Sequence, residues 1–190
     1  MNYDYYTSNN NGQDDYGLKY IDNQGYGRIC KDYRIEFPPQ HQDKQPGMEY
    51  LMTPRPIFNN PYYRPAGKLY NKVAIITGGD SGIGRATAVG FVKEGATVVI
   101  VYYDEHKDAE ETKEFIERMG GRCLLLAGDI KDTNFCDKIV EETIKTFGKI
   151  DILVNNAGVQ YQQKSLLDIT DEQFDLTMKT NIYSMFYLTK

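Results

Sequence analysis

The chain has 190 residues, 41% of them hydrophobic, and a net charge of −5. That is enough for one packed domain and a tail, and an acidic balance without a block of like charge argues against a nucleic-acid or anionic-membrane partner. No apolar run reaches the ~18–20 residues of a membrane helix, and the polar, tyrosine-rich start MNYDYYTSNN has the wrong chemistry for a secretion signal. Cys30, Cys123 and Cys136 are scattered and odd in number, which fits neither a disulfide framework nor a zinc site. The expected compartment is the reducing cytoplasm, with no metal.

Composition changes near Gly67. All seven prolines and ten of the sixteen tyrosines precede it. Residues 1–35 are rich in Tyr, Asn, Asp and Gly without sustained periodicity, and read as a disordered tail. Residues 36–70 form a Pro- and aromatic-rich extended arm. Proline rules out a long helix there, while Met48, Tyr50, Leu51, Met52, Ile57, Phe58, Tyr62 and Tyr63 offer apolar surface for docking.

From residue 71 the pattern becomes regular. Apolar, β-branched runs at 72–77, 97–102, 123–128 and 150–155 predict four strands. They are continuous instead of alternating, as a parallel sheet covered on both faces requires. Between them lie helical patterns: Ile83, Ala86, Val89 and Val92; then Ala109, Thr112, Phe115, Ile116 and Met119; then Phe135, Ile139, Val140, Ile144 and Phe147. The expected fold class is α/β, a Rossmann-type doubly wound parallel sheet limited to its first four strands. Thr170 and Gln173 form a capping box that opens a last helix carrying Phe174, Leu176, Met178, Ile182, Met185, Phe186 and Leu188. It shows no stop signal before Lys190, which suggests a C-terminally truncated domain.

The first strand leads into Thr77-Gly78-Gly79-Asp80-Ser81-Gly82-Ile83-Gly84. A phosphate-binding turn needs a tight reversal, which suits Gly78. It needs close backbone approach to a pyrophosphate, which suits Gly82, and close helix packing, which suits Gly84. The helix N-terminus then meets the anion. Alone, such a cluster is equally a ligand-free tight turn.

TGGDSGIG resembles the TGxxxGxG turn of the short-chain dehydrogenase/reductase family. The resemblance continues through Asp129-Ile130 after the third strand, Asn155-Asn156-Ala157-Gly158 after the fourth, and Asn181 in KTNIYSMFYLTK. It implies that Gly78, Gly79, Asp80, Ser81, Gly82, Ile83 and Gly84 hold a dinucleotide and that Asp129 contacts the adenine. It further implies that Asn155, Ala157 and Gly158 line the cofactor pocket, and that Asn181 is a catalytic residue anchoring a water in a proton relay. The segment FPPQHQDKQPGMEYLMTPRP resembles the N-terminal extension of a bacterial general-stress and glucose/ribitol-type subgroup.

In the family, an acidic residue closing the second strand selects NAD. Here Tyr102 and Tyr103 stand there, which favours NADP and leaves NAD open. Asp104 and Glu105 read as cap and first-turn charges, and Arg85 as a solvated helix charge or a partner for a 2′-phosphate. The family's chemistry also needs a Ser and a Tyr-x-x-x-Lys pair. The pairs considered, Tyr16 with Tyr20, Tyr161 with Ser165 and Tyr187 with Lys190, fail by residue type, spacing or placement. The resemblance therefore implies NAD(P)-dependent hydride transfer on a small carbonyl or alcohol substrate, with this chain supplying the cofactor-binding part and inactive alone. A homo-oligomer, dimer or tetramer, is implied for the full-length form, through the helix near Asp171 and the next one. The alternatives are an inactive nucleotide-binding or structural protein, and one half of a split enzyme.

Overall fold

The structure is a computed structural model that describes residues 39–190; the tail and the first residues of the arm lie outside the described residues. Strands β1 (Val73–Thr77), β2 (Thr97–Tyr102), β3 (Cys123–Ala127) and β4 (Ile152–Val154) form one parallel sheet in the order β3-β2-β1-β4. Helices α1 (Gly82–Lys93), α2 (His106–Arg118) and α3 (Thr133–Phe147) make the crossovers. This is the expected first half of a Rossmann-type fold.

Side-chain alternation along the central strands divides the core in two. Ile76, Val98, Ile100 and Tyr102 pack under α1 and α2 with Val89, Ala109 and Ile116. Ile75, Val99 and Val101 face the other way and pack with Ile130, Cys136 and Ile139 of the α3 side. Because both faces are covered, neither strand can carry a polar alternate, which is why the sequence shows unbroken apolar runs.

Strand ends shift by one or two residues from the sequence reading, and two differences have a clear physical basis. Strand β4 ends at Val154 instead of Asn155, because the N–H groups of Asn156 and Ala157 both donate to the Thr77 hydroxyl, at 3.0 Å each, and not to a ladder. The last helix is three pieces. Thr170 caps α4 (Asp171–Met178), a π-helical turn spans Lys179–Tyr183, and α5 runs Ser184–Thr189. The capping box is half formed: Thr170 Oγ1 accepts the Gln173 N–H, while Gln173 Oε1 accepts from Gln163 Nε2. Leu188 is buried, but Phe174, Ile182 and Phe186 are exposed among the described residues.

The core face of α1 is also not the expected one. Ile83 is 80% exposed, and the buried positions are Arg85, Ala88, Val89 and Val92. A guanidinium occupies an apolar slot because Glu49, on a single helical turn of the arm (Glu49–Leu51), is buried against it, with Arg85 Nη1 2.7 Å from Glu49 Oε1. The Arg85 guanidinium also stacks over the Phe58 ring at 3.8 Å. Arg85 is therefore neither a solvated charge nor free for a phosphate. The arm is held by such polar anchors more than by its aromatic surface. Asp108 accepts the backbone N–H groups of Glu49 and Tyr50, and Glu94 accepts from the Tyr63 hydroxyl and from the N–H groups of Ala66 and Lys68. Leu51, Ile57 and Tyr62 stay exposed.

Removing one member of a buried ion pair leaves the other uncompensated, at a cost of about 3–5 kcal/mol. Glu49→Ala should lower the unfolding free energy by about that amount in urea titrations; a loss below about 1 kcal/mol would show that the pair is not a structural anchor.

Candidate functional site

The glycine turn meets the loop after β4. Gly78 has φ +63°, a region that favours glycine, and a Cβ on it would lie 3.0 Å from the Ala157 Cα and the Asn156 Nδ2. A Cβ on Gly84 would sit 1.9 Å from the Gly78 carbonyl oxygen. The Asn156 side chain closes the junction, donating to the carbonyls of Thr77 at 2.9 Å and Gly78 at 3.1 Å. Gly82 is different: its φ is +52° and no atom lies within 4 Å of where its Cβ would stand, so the space above it is open. Its N–H is accepted by Glu49 Oε2 at 2.6 Å. The anion that meets this helix N-terminus is thus the chain's own carboxylate.

Under the turn lies a group of carboxylates. Asp80 is buried rather than facing the opening, and burial raises its pKa; the same holds for Asp108. The Asp80 carbonyl accepts from the Thr112 hydroxyl at 2.7 Å, fixing the turn to α2.

The ends of β2 and β3 form the second part of the site. Tyr102 is buried, with its hydroxyl 3.0 Å from His106 Nδ1, while Tyr103 is exposed. Asp104 and Glu105 do not act as helix caps. Asp104 Oδ2 pairs with Lys44 Nζ at 2.5 Å, and Glu105 occupies the N-cap position without a side-chain cap bond. Asp129 Oδ1 accepts the Lys131 N–H at 2.9 Å, and its other oxygen pairs with Lys131 Nζ at 2.8 Å. A cavity of about 210 Å³ at these strand ends is lined by Tyr102, Tyr103, Asp129, Ile130 and Gly158.

Asn181 lies within the π-helical turn, where π turns in longer helices frequently mark functional sites. Its Oδ1 accepts the Val159 N–H at 2.8 Å and its Nδ2 donates to the Val159 carbonyl at 2.9 Å, which ties it to the loop carrying Gly158. Beside it, a second cavity of about 470 Å³ is lined by Gly158, Val159, Tyr161, Phe174, Thr177 and Asn181. The Asn155 Oδ1 is buried without a hydrogen-bond partner among the described residues.

One Tyr-x-x-x-Lys spacing escaped the sequence reading: Tyr103 and Lys107. It stands at the end of β2 and the start of α2, and Lys107 Nζ lies over the Tyr50 ring at 4.1 Å. The glycine turn's own partner, Glu49, was also missed, since a lone Glu in a proline-rich arm carries no signal. Cys123 and Cys136 have their thiols pushed up to about 12 and about 11, first by burial, and are unreactive by that measure. No group of residues able to hold a metal occurs among the described residues, and no described helix is long and apolar enough to cross a membrane.

Glu105 provides a pH signature. Burial, then a hydrogen bond with the Asp104 carboxyl, pushes it from 4.5 up to about 7. Neither Glu105 Oε1 nor Asp104 Oδ1 has another partner among the described residues, so a proton between them satisfies both. The folded chain therefore holds this proton at pH values where the unfolded chain has lost it. Stability from this group is greatest below its unfolded value and falls as pH rises through about 7. The melting temperature should decline from pH 5 to pH 8, and Glu105→Gln should decline less; equal slopes would assign the effect elsewhere.

With this geometry in view, the comparisons with known proteins agree in kind. The model of the short chain dehydrogenase family matches residues 72–190. General stress protein 39 of Bacillus subtilis is 56% identical over 158 residues, covering 83% of this chain and 55% of its own length. The glucose and ribitol dehydrogenase of Daucus carota is 42% identical over 161 residues, covering 82% and 55%. Among solved structures, 3-ketoacyl-(acyl-carrier-protein) reductase from Brucella melitensis, complexed with NADH, superposes with a TM-score of 0.60 at 38% identity, covering 64% of this chain and 48% of that one. The chain spans about half the length of the curated relatives it matches. A match running from the first strand to the last helix shows that the chain belongs to the short-chain dehydrogenase/reductase family.

Proposed function

We propose that this chain is the cofactor-holding part of an NAD(P)-dependent oxidoreductase acting on a small carbonyl or alcohol substrate. The observation that carries this reading is the open space over Gly82, at the N-terminus of a twelve-residue helix that follows the first strand of a parallel sheet. The residues present fit a dinucleotide. The pyrophosphate would lie over Gly82 and Ile83, within reach of the first-turn N–H groups, with Gly78, Gly79, Ser81 and Gly84 shaping the turn. The adenosine would enter the cavity between Tyr103, Asp129 and Ile130, and Asn155, Ala157 and Gly158 would border the path to Asn181. Asp80 would support the turn from below. The NADH-bound Brucella reductase supports a nicotinamide ligand.

When bound, the nicotinamide ring supplies or takes the hydride. This chain's residues bind, orient and position. Asn181, held by Val159 on both sides of its amide, is a fixed polar group beside the cavity between α4 and the loop after β4. Its placement suits anchoring a water there. The proton donor of the family's chemistry, a Tyr-x-x-x-Lys, has no counterpart beside Asn181, since Tyr103 and Lys107 sit at the adenosine end. The 190-residue chain alone therefore binds the cofactor without turning over. The absence of an acid at Tyr102 favours NADP. The exposed Ile182 and Phe186 suit a packing partner, and a homo-oligomer of the longer protein is the reading that matches the family.

Calorimetric titration with NADPH and NADH tests this. Binding of NADPH is expected, weaker binding of NADH, and no oxidation of either by added aldehydes. Gly82→Val should remove binding, because the side chain would fill the open space over the turn; unchanged affinity would sink the phosphate assignment, and a strong preference for NADH would reverse the nucleotide choice.

A further inference from the structure

The cavity at the ends of β2 and β3 is not made by the sheet alone. Gln45 and Pro46 of the arm form part of its lining. They are held there from both sides. On one side, Lys44 pairs with Asp104 just past β2. On the other, Glu49 is fixed to the Gly82 N–H and to Arg85, and Asp108 accepts the N–H groups of Glu49 and Tyr50. The Gln42 side chain closes the loop between these anchors, accepting the Met48 N–H at 2.8 Å and donating to the Met48 carbonyl at 2.9 Å. The same cavity carries Thr180, which is only 9% exposed and whose Oγ1 has no hydrogen-bond partner among the described residues. A buried hydroxyl without a partner in a cavity wall is a group suited to a polar ligand.

We propose that residues Lys44 to Glu49 are a ligand-binding strap whose Gln45 and Pro46 form the outer wall of the adenosine end of the nucleotide site. This rests on the nucleotide reading above and deepens it. The ligand class is an adenine nucleotide. The Pro46 ring and Ile130 give the purine apolar surface, and the Thr180 hydroxyl meets a polar edge. The anchors place this wall before the ligand arrives, so less ordering entropy is lost on binding than a free loop would cost. Lys44 acts as a positioning residue through Asp104, and Glu49 acts on both the strap and the phosphate turn. The arm is thus part of the binding site and not a wrapping on the outside of the domain.

Two substitutions test the strap without touching the sheet core. Pro46→Gly removes the wall, and Lys44→Ala removes an exposed anchor. The unaltered 190-residue chain and both variants are titrated calorimetrically with ADP and, separately, with inorganic pyrophosphate, which reaches only the glycine turn. Each variant should bind ADP about tenfold more weakly, which is about 1.4 kcal/mol, with pyrophosphate affinity and melting temperature unchanged. ADP affinity equal to or tighter than that of the unaltered chain would overturn the strap and leave the nucleotide reading standing. Equal weakening of ADP and pyrophosphate would also overturn it, by placing the effect in the turn. Failure of the unaltered chain to bind ADP would overturn both readings.

Discussion

The ion pair between Arg85 and Glu49 organises much of what surrounds it. Arg85 takes a position on α1 that the core-facing period would give to an apolar side chain, and such a charge is tolerated inside only with a partner. That partner comes from the arm, 36 positions earlier in the chain. Once Glu49 is in place, its second oxygen takes the Gly82 N–H, so one carboxylate serves the helix core and the glycine turn together. The arm's path across α1 and α2, and the wall it adds to the cavity, follow from that fixed point.

The carboxylates nearby are best understood as consequences of the same arrangement. Asp80, Asp108 and Glu105 are buried in this part of the chain, and burial raises all three. Asp108 is compensated by two backbone donors from the arm. Glu105 has no donor from the arm; it accepts the Asp104 N–H at 3.2 Å, which does not offset its burial, and its pKa rises to about 7. Next to the glycine turn, acid groups are thus either shifted toward the neutral form by burial or paired with donors.

Much of the domain could be read along the chain. The parallel sheet was legible because strands buried on both faces must be apolar throughout, and the three crossover helices because their periods are clear. The glycine turn was legible because its glycines stand at fixed offsets after the first strand, and the packing agrees: a Cβ on Gly84 would clash with the Gly78 carbonyl, and Gly78 has a positive φ and tight surroundings. The order of TGGDSGIG, Asp129, the Asn-Asn-Ala-Gly loop and Asn181 was enough for the family. Less was visible where a contact is made between distant residues of ordinary type. Arg85 read as a solvated charge or a phosphate partner, Ile83 as a core residue, and Asp104 and Glu105 as cap and first-turn charges; the Glu49 partner of Arg85, the exposure of Ile83, the Lys44 partner of Asp104 and the missing cap bond of Glu105 are not encoded in local pattern.

The sequence by itself therefore determined the class of fold and the location of the glycine turn, because both depend on periodicity and on glycine at fixed offsets, which are local properties. Only the tertiary structure decided the π turn that carries Asn181, the ending of β4 at the Thr77 hydroxyl, and the seating of the arm on the cavity at the ends of β2 and β3. The physical reason is common to all three. Each is settled by where buried hydrogen-bonding groups and charges find partners, and those partners lie far apart in the chain.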